Sequence, residues 1–226
     1  DGATTVPTAL FFSFEDDSIT YGREAMQRYL GQEEGRLLRS IKSLLGTALY
    51  EEVTYVKTRR YAFAEIVSAF LAFLRAHAAA EIGEPPTRVV IGRPAFFVDD
   101  DAEADRQAEQ QLMTAAKAAG FKIVEFQFEP IAAALHYEKT VTAEEIALVA
   151  DIGGGTSDFS VVRVSPKLAM KADRRTDILS YTGVHVGGTD FDRLLSVATL
   201  MPFLGLGSRL KMKGMTAPSW YFSDLS

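Results

Sequence analysis

The chain of 226 residues contains no cysteine, which excludes disulfides, thiol nucleophiles and thiolate metal sites. Its three histidines, His77, His136 and His185, lie far apart, and no two of them have the spacing of a metal-binding pair. There is no Gly-x-Ser-x-Gly sequence, which argues against serine catalysis at a nucleophile elbow. The lack of cysteine also suits a reducing compartment, and we expect a cytoplasmic protein.

Positive charge is also scarce. The 24 Lys and Arg residues are outnumbered by 30 Asp and Glu residues, which gives a net charge of −6. No basic stripe with interleaved aromatic residues is present, so the composition argues against nucleic-acid binding. The most apolar stretch, residues 61–80, contains Glu65, Arg75 and His77, and its apolar side chains recur at helical spacing. We therefore expect a buried helix there, with no membrane span and no signal peptide.

The most informative segment, residues 146–164, has an apolar run, a glycine-rich turn and a second apolar run. Its glycine and polar positions are, in chain order, Asp151, Gly153, Gly154, Gly155, Thr156 and Asp158. Glycines lack a Cβ and adopt positive φ, so the backbone N–H groups of this turn can approach an anion. A carboxylate beside the turn can hold a hydrated Mg²⁺ that offsets phosphate charge. A plain glycine hairpin is the alternative, but the flanking acids and the later motifs favour a phosphate site.

Strand and helix patterns alternate along the chain, which predicts an α/β fold. The predicted strands are residues 6–14, 88–92, 122–128, 146–151, 159–164 and 178–186. The first three predicted helices are residues 25–30, 35–45 and 63–80. A fourth follows the acidic residues 99–101 and runs through Ala119. A fifth begins at Glu129, and a sixth is capped by Thr189. The side chains predicted to face inward are Ala108, Leu112, Ala115 and Ala119 in one helix, and Phe191, Leu194, Leu195 and Ala198 in another.

The glycine turn differs from two commoner phosphate loops. No Lys-Ser or Lys-Thr pair closes it, so it is not a Walker A loop. A strand follows it rather than a helix, so it is not a dinucleotide-binding fingerprint. The spacing Asp-x-Gly-Gly-Gly-Thr-x-Asp between two strands is typical of the actin, hexokinase and heat-shock-chaperone ATPase class.

Five motifs occur in the order found in one family and cover roughly residues 36–195. They are residues 40–46 (SIKSLLG), 91–97 (IGRPAFF), 129–135 (EPIAAAL), 151–158 (DIGGGTSD) and 187–192 (GGTDFD). The chain resembles the DnaK-type heat-shock chaperones, most closely their YegD-like relatives. The resemblance implies an α/β, actin-like (ribonuclease H-like) ATPase fold with two lobes around a nucleotide cleft and an incomplete second lobe. The first lobe would be residues 1–140, and the start of the second lobe would be residues 144–226.

The resemblance also implies which residues hold the nucleotide. Backbone N–H groups and one hydroxyl of the turn would cradle the β- and γ-phosphates of ATP or ADP, and a second glycine pair would approach from the second lobe. These binding residues are Gly153, Gly154, Gly155, Thr156, Asp158, Gly187 and Gly188.

Other residues would act on the transferred phosphoryl group, as the resemblance implies. Lys42 would neutralise its charge, Glu129 would orient the attacking water, and Asp151 would hold Mg²⁺ through water molecules, with the Thr156 hydroxyl as a further catalytic group. Pro94 and Arg106 match positions that relay the state of the nucleotide.

Each of these residues also has an ordinary structural explanation. Lys42 is otherwise a solvated lysine on an amphipathic helix. Glu129 could interact with the dipole of the helix that it begins. Arg106 could pair with Glu103 or Glu109 on an exposed helix face, where an ion pair contributes little to stability.

Three family features are missing from the sequence, namely the first phosphate hairpin, the adenosine-binding motif and the peptide-binding domain. The chain begins at Asp1 without an initiator Met, and residues 220–226 carry no capping or tail signal. We therefore expect both ends to be cut from something longer. We also expect the 226-residue piece alone to bind ATP weakly or not at all.

The leading functional hypothesis is a chaperone-like ATPase that hydrolyses Mg-ATP to ADP and uses hydrolysis to close its lobes. Its partners would be the nucleotide and an unfolded polypeptide or a co-chaperone. One alternative is a sugar or small-molecule kinase of the same fold, and another is an actin-like filament former or a scaffold without turnover. The EPIAAAL and GGTDFD motifs together favour the chaperone branch, although a shared fold does not by itself assign a function.

Overall fold

The structure is a computed structural model that describes residues 5–171, 174–209, 215–219 and 222. Its strands are β1 Ala9–Ser13, β2 Ile19–Tyr21, β3 Gly35–Arg39, β4 Val53–Val56, β5 Arg59–Ala62, β6 Arg88–Arg93, β7 Ile123–Phe128, β8 Glu145–Ile152, β9 Ser157–Val164 and β10 Ile178–Val184. Its α-helices are α1 Gly22–Leu30, α2 Phe63–Ile82, α3 Ala102–Ala118, α4 Glu129–Tyr137 and α5 Gly188–Thr199. The predicted α/β class is confirmed, because helices and strands alternate along the described chain. Asp1 and most of residues 220–226, where the sequence suggests cut ends, lie outside the described residues.

Four sheets organise the described part of the chain. An antiparallel sheet has the order β2-β1-β3, a second has the order β10-β9-β8, β4 and β5 form a hairpin, and β6 and β7 are parallel neighbours. Helix α3 connects β6 to β7, as a parallel pair requires, and its apolar stripe packs inward. The predicted inward residues of α3 are all buried, namely Ala108, Leu112, Ala115 and Ala119.

The larger core lies between the first sheet and helices α2 and α3. Leu10 and Phe12 of β1 meet Phe70 of α2 and Leu112 of α3 in one apolar cluster. Helix α2 is long and apolar enough, by length and composition alone, to cross a membrane, which is weak evidence of a span. Ile66 and its neighbours are part of the core, as expected, whereas His77 is exposed and stacks on Phe73.

A smaller core lies between α4 and the β10-β9-β8 sheet. Ile131 and Ala134 of α4 pack against Val162 and Val164 of β9. Helix α4 begins directly after β7 and packs against β9, so it links the parallel strand pair to the antiparallel sheet. This connection places Glu129, the first residue of α4, between the two groups of strands.

The prediction of a helix over residues 35–45 is wrong. Residues 35–39 form β3, which pairs antiparallel with β1 from Ala9 opposite Arg39 to Ser13 opposite Gly35. Adjacent residues of a strand point to opposite faces, and Leu37 and Leu38 pack into two different apolar clusters. A short 3-10 turn, Ile41–Leu44, follows a left-handed residue at Ser40. Pairing with a fully buried strand outweighs the weak local helix preference of this segment.

The prediction of an inward apolar face on α5 is also wrong. Phe191, Leu194 and Leu195 are 49%, 58% and 63% exposed, and no residue of α5 is buried. Ala198 is exposed as well. Helical spacing identifies an apolar face, but it carries no information about which element, if any, covers that face.

Candidate functional site

The glycine turn at residues 153–156 joins β8 to β9 at the end of the antiparallel sheet. The N–H of Gly153 donates to the carbonyl of Thr156 at 2.8 Å, which closes the turn. The N–H groups of Gly154 and Gly155 have no acceptor among the described residues. Free, adjacent N–H groups beside a cavity are what an anion-binding turn requires.

The start of α5 rests on this turn. The N–H of Gly188 donates to the carbonyl of Gly153 at 2.8 Å, and the N–H of Thr189 donates to that of Gly154 at 2.9 Å. A Cβ on Gly187 would lie 2.6 Å from the nitrogen of Gly155, which is backbone and cannot rotate away. Gly187 and Gly188 therefore support the turn through direct backbone contact.

The prediction that Thr189 caps α5 is wrong. Its hydroxyl donates to the carbonyl of Gly154 at 2.7 Å, and Thr189 lies inside the helix. The carboxylate of Asp190 instead accepts the N–H of Gly187, the residue before the helix, at 3.0 Å. The contact with the glycine turn takes the Thr189 hydroxyl away from a capping position.

Lys42 and Glu129 form an ion pair that joins distant parts of the chain. Lys42 lies in the 3-10 turn after β3, and Glu129 begins α4. Their side chains are 40% and 32% exposed, so the pair remains open to a ligand. A Cβ on Gly92 would lie 3.0 Å from the Glu129 carboxylate, so the glycine in β6 leaves room for it.

Asp158 lies behind the turn rather than in the open site. Its carboxylate is almost fully buried and accepts the N–H of Ala95 at 2.6 Å. Burial raises the pKa of Asp158, and Glu129 raises it as well, whereas the Ala95 N–H, the Thr156 hydroxyl and Lys42 oppose these effects. The net result is a carboxyl whose pKa lies above its ordinary value.

Asp151 stands directly opposite Asp158 in the β8–β9 pairing. Like charges at paired positions destabilise a sheet, so an acid here is costly without a compensating cation. No group of three His, Asp or Glu side chains converges anywhere in the described part of the chain. A cation at Asp151 would therefore need water and ligand oxygens to complete its shell, which is how Mg²⁺ is commonly held.

A cavity of about 470 Å³ brings most of these groups together. Its lining residues are Pro7, Thr8, Ala9, Met26, Arg39, Ser40, Lys42, Ser43, Pro94, Phe97, Glu129, Gly153, Gly154, Gly155, Thr156, His185 and Thr189. Of the residues selected from the sequence, the cavity is lined by Lys42, Glu129, Gly153, Gly154, Gly155 and Thr156. Asp151, Asp158, Gly187 and Gly188 do not line it, although each adjoins the glycine turn or directly contacts it.

Sequence reasoning missed several lining residues. Arg39 is an exposed cation with no acidic partner among the described residues, and it adds positive charge that Lys42, paired with Glu129, cannot supply alone. The backbone N–H of His185 donates to Asp99 at 2.8 Å, and its ring Nδ1 lies 3.1 Å from the carbonyl oxygen of Phe97, which also lines the cavity. Arg39 could have been found from its place directly before the SIKSLLG motif. No local pattern marks His185 as a lining residue.

The two residues expected to relay nucleotide state lie in different settings. Pro94 lines the cavity. Arg106 is 68% exposed and pairs with Glu103 on the surface of α3, as its ordinary explanation predicts. The arginine that contacts the Pro94 carbonyl is Arg93, at 3.2 Å. Arg106 does not line the cavity, and its role as a relay stays a prediction.

Comparison with known proteins identifies the family of this chain. The family model described as Hsp70 protein matches residues 16–203. The chaperone protein DnaK of Ureaplasma parvum serovar 3 is 34% identical over 197 residues, which is 86% of this chain and 29% of that protein. The DnaK proteins of Ureaplasma urealyticum serovar 10 and Mesomycoplasma hyopneumoniae are 34% and 32% identical over similar spans.

The chain spans about 29% of the length of these curated relatives. The match nevertheless covers most of the chain, including the lysine segment, the start of α4 and the glycine turn. The Hsp70 family has an actin-like ATPase fold, with which the mixed α/β sheets described above are consistent. The chain therefore belongs to the Hsp70 family.

Proposed function

We propose that this chain forms the phosphate-binding part of a chaperone-like ATPase that holds Mg-ATP in a cleft between two lobes. One observation carries the proposal. The Lys42–Glu129 pair, from the turn after β3 and the start of α4, and the glycine turn between β8 and β9 line one cavity. Phosphoryl transfer needs positioned charges more than covalent chemistry by the protein, and this cavity supplies them.

The lobes of the proposal are residues 1–140 and 144–226. The cavity that the Lys42 segment and the glycine turn share would be the floor of the cleft. Helix α4 reaches from β7 to the second sheet, so movement between the lobes would have to pivot near its ends. Closure of the lobes on the nucleotide would exclude water from the Lys42–Glu129 pair.

The glycine turn fits the phosphates of ATP. Gly154 and Gly155 would donate their free N–H groups to the β- and γ-phosphates, and the Thr156 hydroxyl would add a side-chain contact. Gly153 uses its own N–H to close the turn, so its part is to shape the loop. Gly187 and Gly188 hold the turn from behind, and Asp158 anchors it to Ala95.

The remaining groups act on the reacting phosphoryl. Mg²⁺, held by Asp151 through water, would offset the negative charge of the phosphates. Glu129 would orient the attacking water, and Lys42 would stabilise charge on the transferred group. Arg39 would contribute a further cation at the mouth of the cavity.

The same proposal extends to partners and location. An unfolded polypeptide or a co-chaperone would couple to hydrolysis, and the protein would work in the cytoplasm, in keeping with its lack of cysteine. The DnaK proteins among its relatives are named as chaperones, which supports this extension. A YegD-like branch would perform it without a peptide-binding domain of the DnaK kind.

Single-turnover hydrolysis of ATP by the full-length gene product tests the proposal. The measurement is made with and without an unfolded polypeptide, with Asp151→Ala as the control variant. Slow turnover that the polypeptide accelerates and the substitution abolishes is the expected result. Turnover that is indifferent to polypeptide would assign the ATPase a different partner, and no turnover would favour a scaffold.

A further inference from the structure

Arg93, the last residue of β6, is enclosed beside the cavity without lining it. Its side chain is 10% exposed and pairs with Asp105 at 2.8 Å and with Glu109, both on α3. The Nε group donates to the Pro94 carbonyl at 3.2 Å. Nothing in the proposed phosphate chemistry uses this cation.

The guanidinium also lies between two aromatic rings. Its central carbon is 5.1 Å from the ring centre of Phe97 and 5.1 Å from that of Phe128. A planar guanidinium can stack on rings while it donates in its own plane to carboxylates, which a lysine ammonium cannot do. Arg93 therefore holds two separate chain segments, one on each side.

Both segments lead directly to site residues. On one side, the segment of residues 94–97 presents the N–H of Ala95 to Asp158 at 2.6 Å. Asp105, which also binds Arg93, accepts the N–H of Phe97 at 2.6 Å, so the segment is fixed to α3. On the other side, Phe128 is the residue immediately before Glu129.

We propose that Arg93 is a positioning residue. Through Phe128 it sets the orientation of the Glu129 carboxylate, and through Ala95 it sets the position of the glycine turn. The inference rests on the proposed ATPase function and deepens it. It predicts a larger effect on the rate of the chemical step than on the capture of nucleotide, because Arg93 itself does not reach the cavity. A displacement of about 1 Å at a reacting group can cost roughly a hundredfold in rate.

The experiment compares Arg93→Lys and Arg93→Met with Arg106→Met in the full-length gene product. Single-turnover ATP hydrolysis and nucleotide affinity are measured separately, under conditions in which urea unfolding shows each variant to be folded. We expect the hydrolysis rate of both Arg93 variants to fall by about 10- to 100-fold while affinity changes by less than about threefold. Arg106→Met, at an exposed position of α3, the helix that carries Asp105 and Glu109, should leave both quantities unchanged.

Two further variants separate positioning from simple support of the fold. Glu109→Gln keeps the shape of one partner of Arg93 but removes its charge, which weakens the hold on Arg93. We expect it to lose less rate than the Arg93 variants, and it remains informative even if Arg93→Met does not fold. Combining Arg93→Lys with Asp158→Ala, which leaves the Ala95 N–H unpaired, should give a loss smaller than the product of the two single losses, because both act through Ala95.

Three results would overturn the inference. An unchanged single-turnover rate in folded Arg93→Lys would do so, as would an equal loss in Arg106→Met, or losses that multiply in the double variant. If the unmutated protein hydrolyses no ATP, the proposed function fails and the role of Arg93 fails with it. Normal hydrolysis with an unaffected Arg93→Lys rate removes the role of Arg93 alone.

Discussion

The N–H of Ala95 donates to the buried carboxylate of Asp158 at 2.6 Å, across a separation of 63 residues. Gly183 makes this contact possible, since a Cβ there would lie 2.6 Å from the same carboxylate oxygen. The bond ties the end of the parallel strand pair to the strand that leaves the glycine turn. Loss of the acceptor at Asp158 should therefore affect stability as well as function.

Asp158→Asn should leave the protein at least as stable as the unmutated form at pH 7. Burial raises the pKa of Asp158 above its ordinary 3.8, so the group favours folding most when protonated and loses that contribution as pH rises through its folded value. Asparagine keeps an acceptor for the Ala95 N–H and carries no charge. Asp158→Ala, by contrast, leaves that N–H unpaired and should cost about 1–3 kcal/mol.

Urea unfolding at pH 7 and at pH 4.5 checks this prediction. Any advantage of Asp158→Asn should shrink at the lower pH, because the unmutated carboxyl is then more often protonated. Equal destabilisation by the asparagine and alanine variants would contradict the expected role of the buried charge.

Two glycine substitutions should separate support of the turn from binding of phosphate. Gly187→Ala places a methyl group against the Gly154–Gly155 backbone and should cost about 1–3 kcal/mol of stability along with nucleotide affinity. A Cβ on Gly154 meets nothing within 4 Å, so Gly154→Ala should leave stability within about 1 kcal/mol. It should nevertheless weaken ATP binding, because the methyl group would stand where the phosphate approaches.

Calorimetric titration of ATP into folded variants of the full-length gene product, together with urea unfolding, is the measurement. Unchanged ATP affinity in Gly154→Ala would place the phosphate somewhere other than on this turn.

Lys42→Met should slow single-turnover hydrolysis by about a hundredfold or more, on the scale seen when a preorganised electrostatic group is removed. Its effect on stability should be below about 1 kcal/mol, because the Lys42–Glu129 pair is partly exposed to water. Lys57, whose ammonium lies 2.8 Å from the exposed Asp17, offers a matched control. If Lys57→Met slows hydrolysis as much as Lys42→Met does, the loss reflects surface charge rather than the site.

Arg174→Ala should be strongly destabilising, by about 3–5 kcal/mol. Arg174 binds Glu138 at 2.6 Å and Asp177 at 2.9 Å, and these carboxylates are 2% and 3% exposed. Burial acts to raise the pKa of each, but Arg174 outweighs it together with the Ser165 N–H at Glu138 and with Lys171 at Asp177, so both pKa values are lowered. Stability from this cluster is therefore present above the ordinary carboxyl range and is lost as pH falls through the lowered values.

The measurement is urea unfolding of Arg174→Ala and the unmutated protein between pH 7 and pH 4. The difference between them should be largest at neutral pH and should narrow in acid, where the orphaned carboxylates become protonated. Arg163→Ala is the control, because Arg163 lies 4.0 Å from Glu144 at the surface and should contribute less than about 0.5 kcal/mol. A difference that does not vary with pH would show that Arg174 acts through packing alone.

Much of the local structure could be predicted because its signals act within a turn or two of the chain. The carboxylate of Asp101 accepts the N–H groups of Glu103 and Ala104, and Gly120 stands just beyond the end of α3, as the sequence predicts. The apolar runs on either side of the three glycines likewise predicted the strands β8 and β9. Residues 35–39 were mistaken for helix because a strand in the core has no comparable local signal.

The sequence by itself determined the α/β order of elements, the glycine turn and the membership of Lys42 and Glu129 in family motifs. Only the tertiary structure decided that these two side chains meet across 87 residues, and that Arg93 rather than Arg106 contacts the Pro94 segment. It also decided that the apolar face of α5 stays uncovered among the described residues. Backbone preferences and helix caps depend on residues that are neighbours in the chain, whereas contacts between distant residues depend on how separate elements pack.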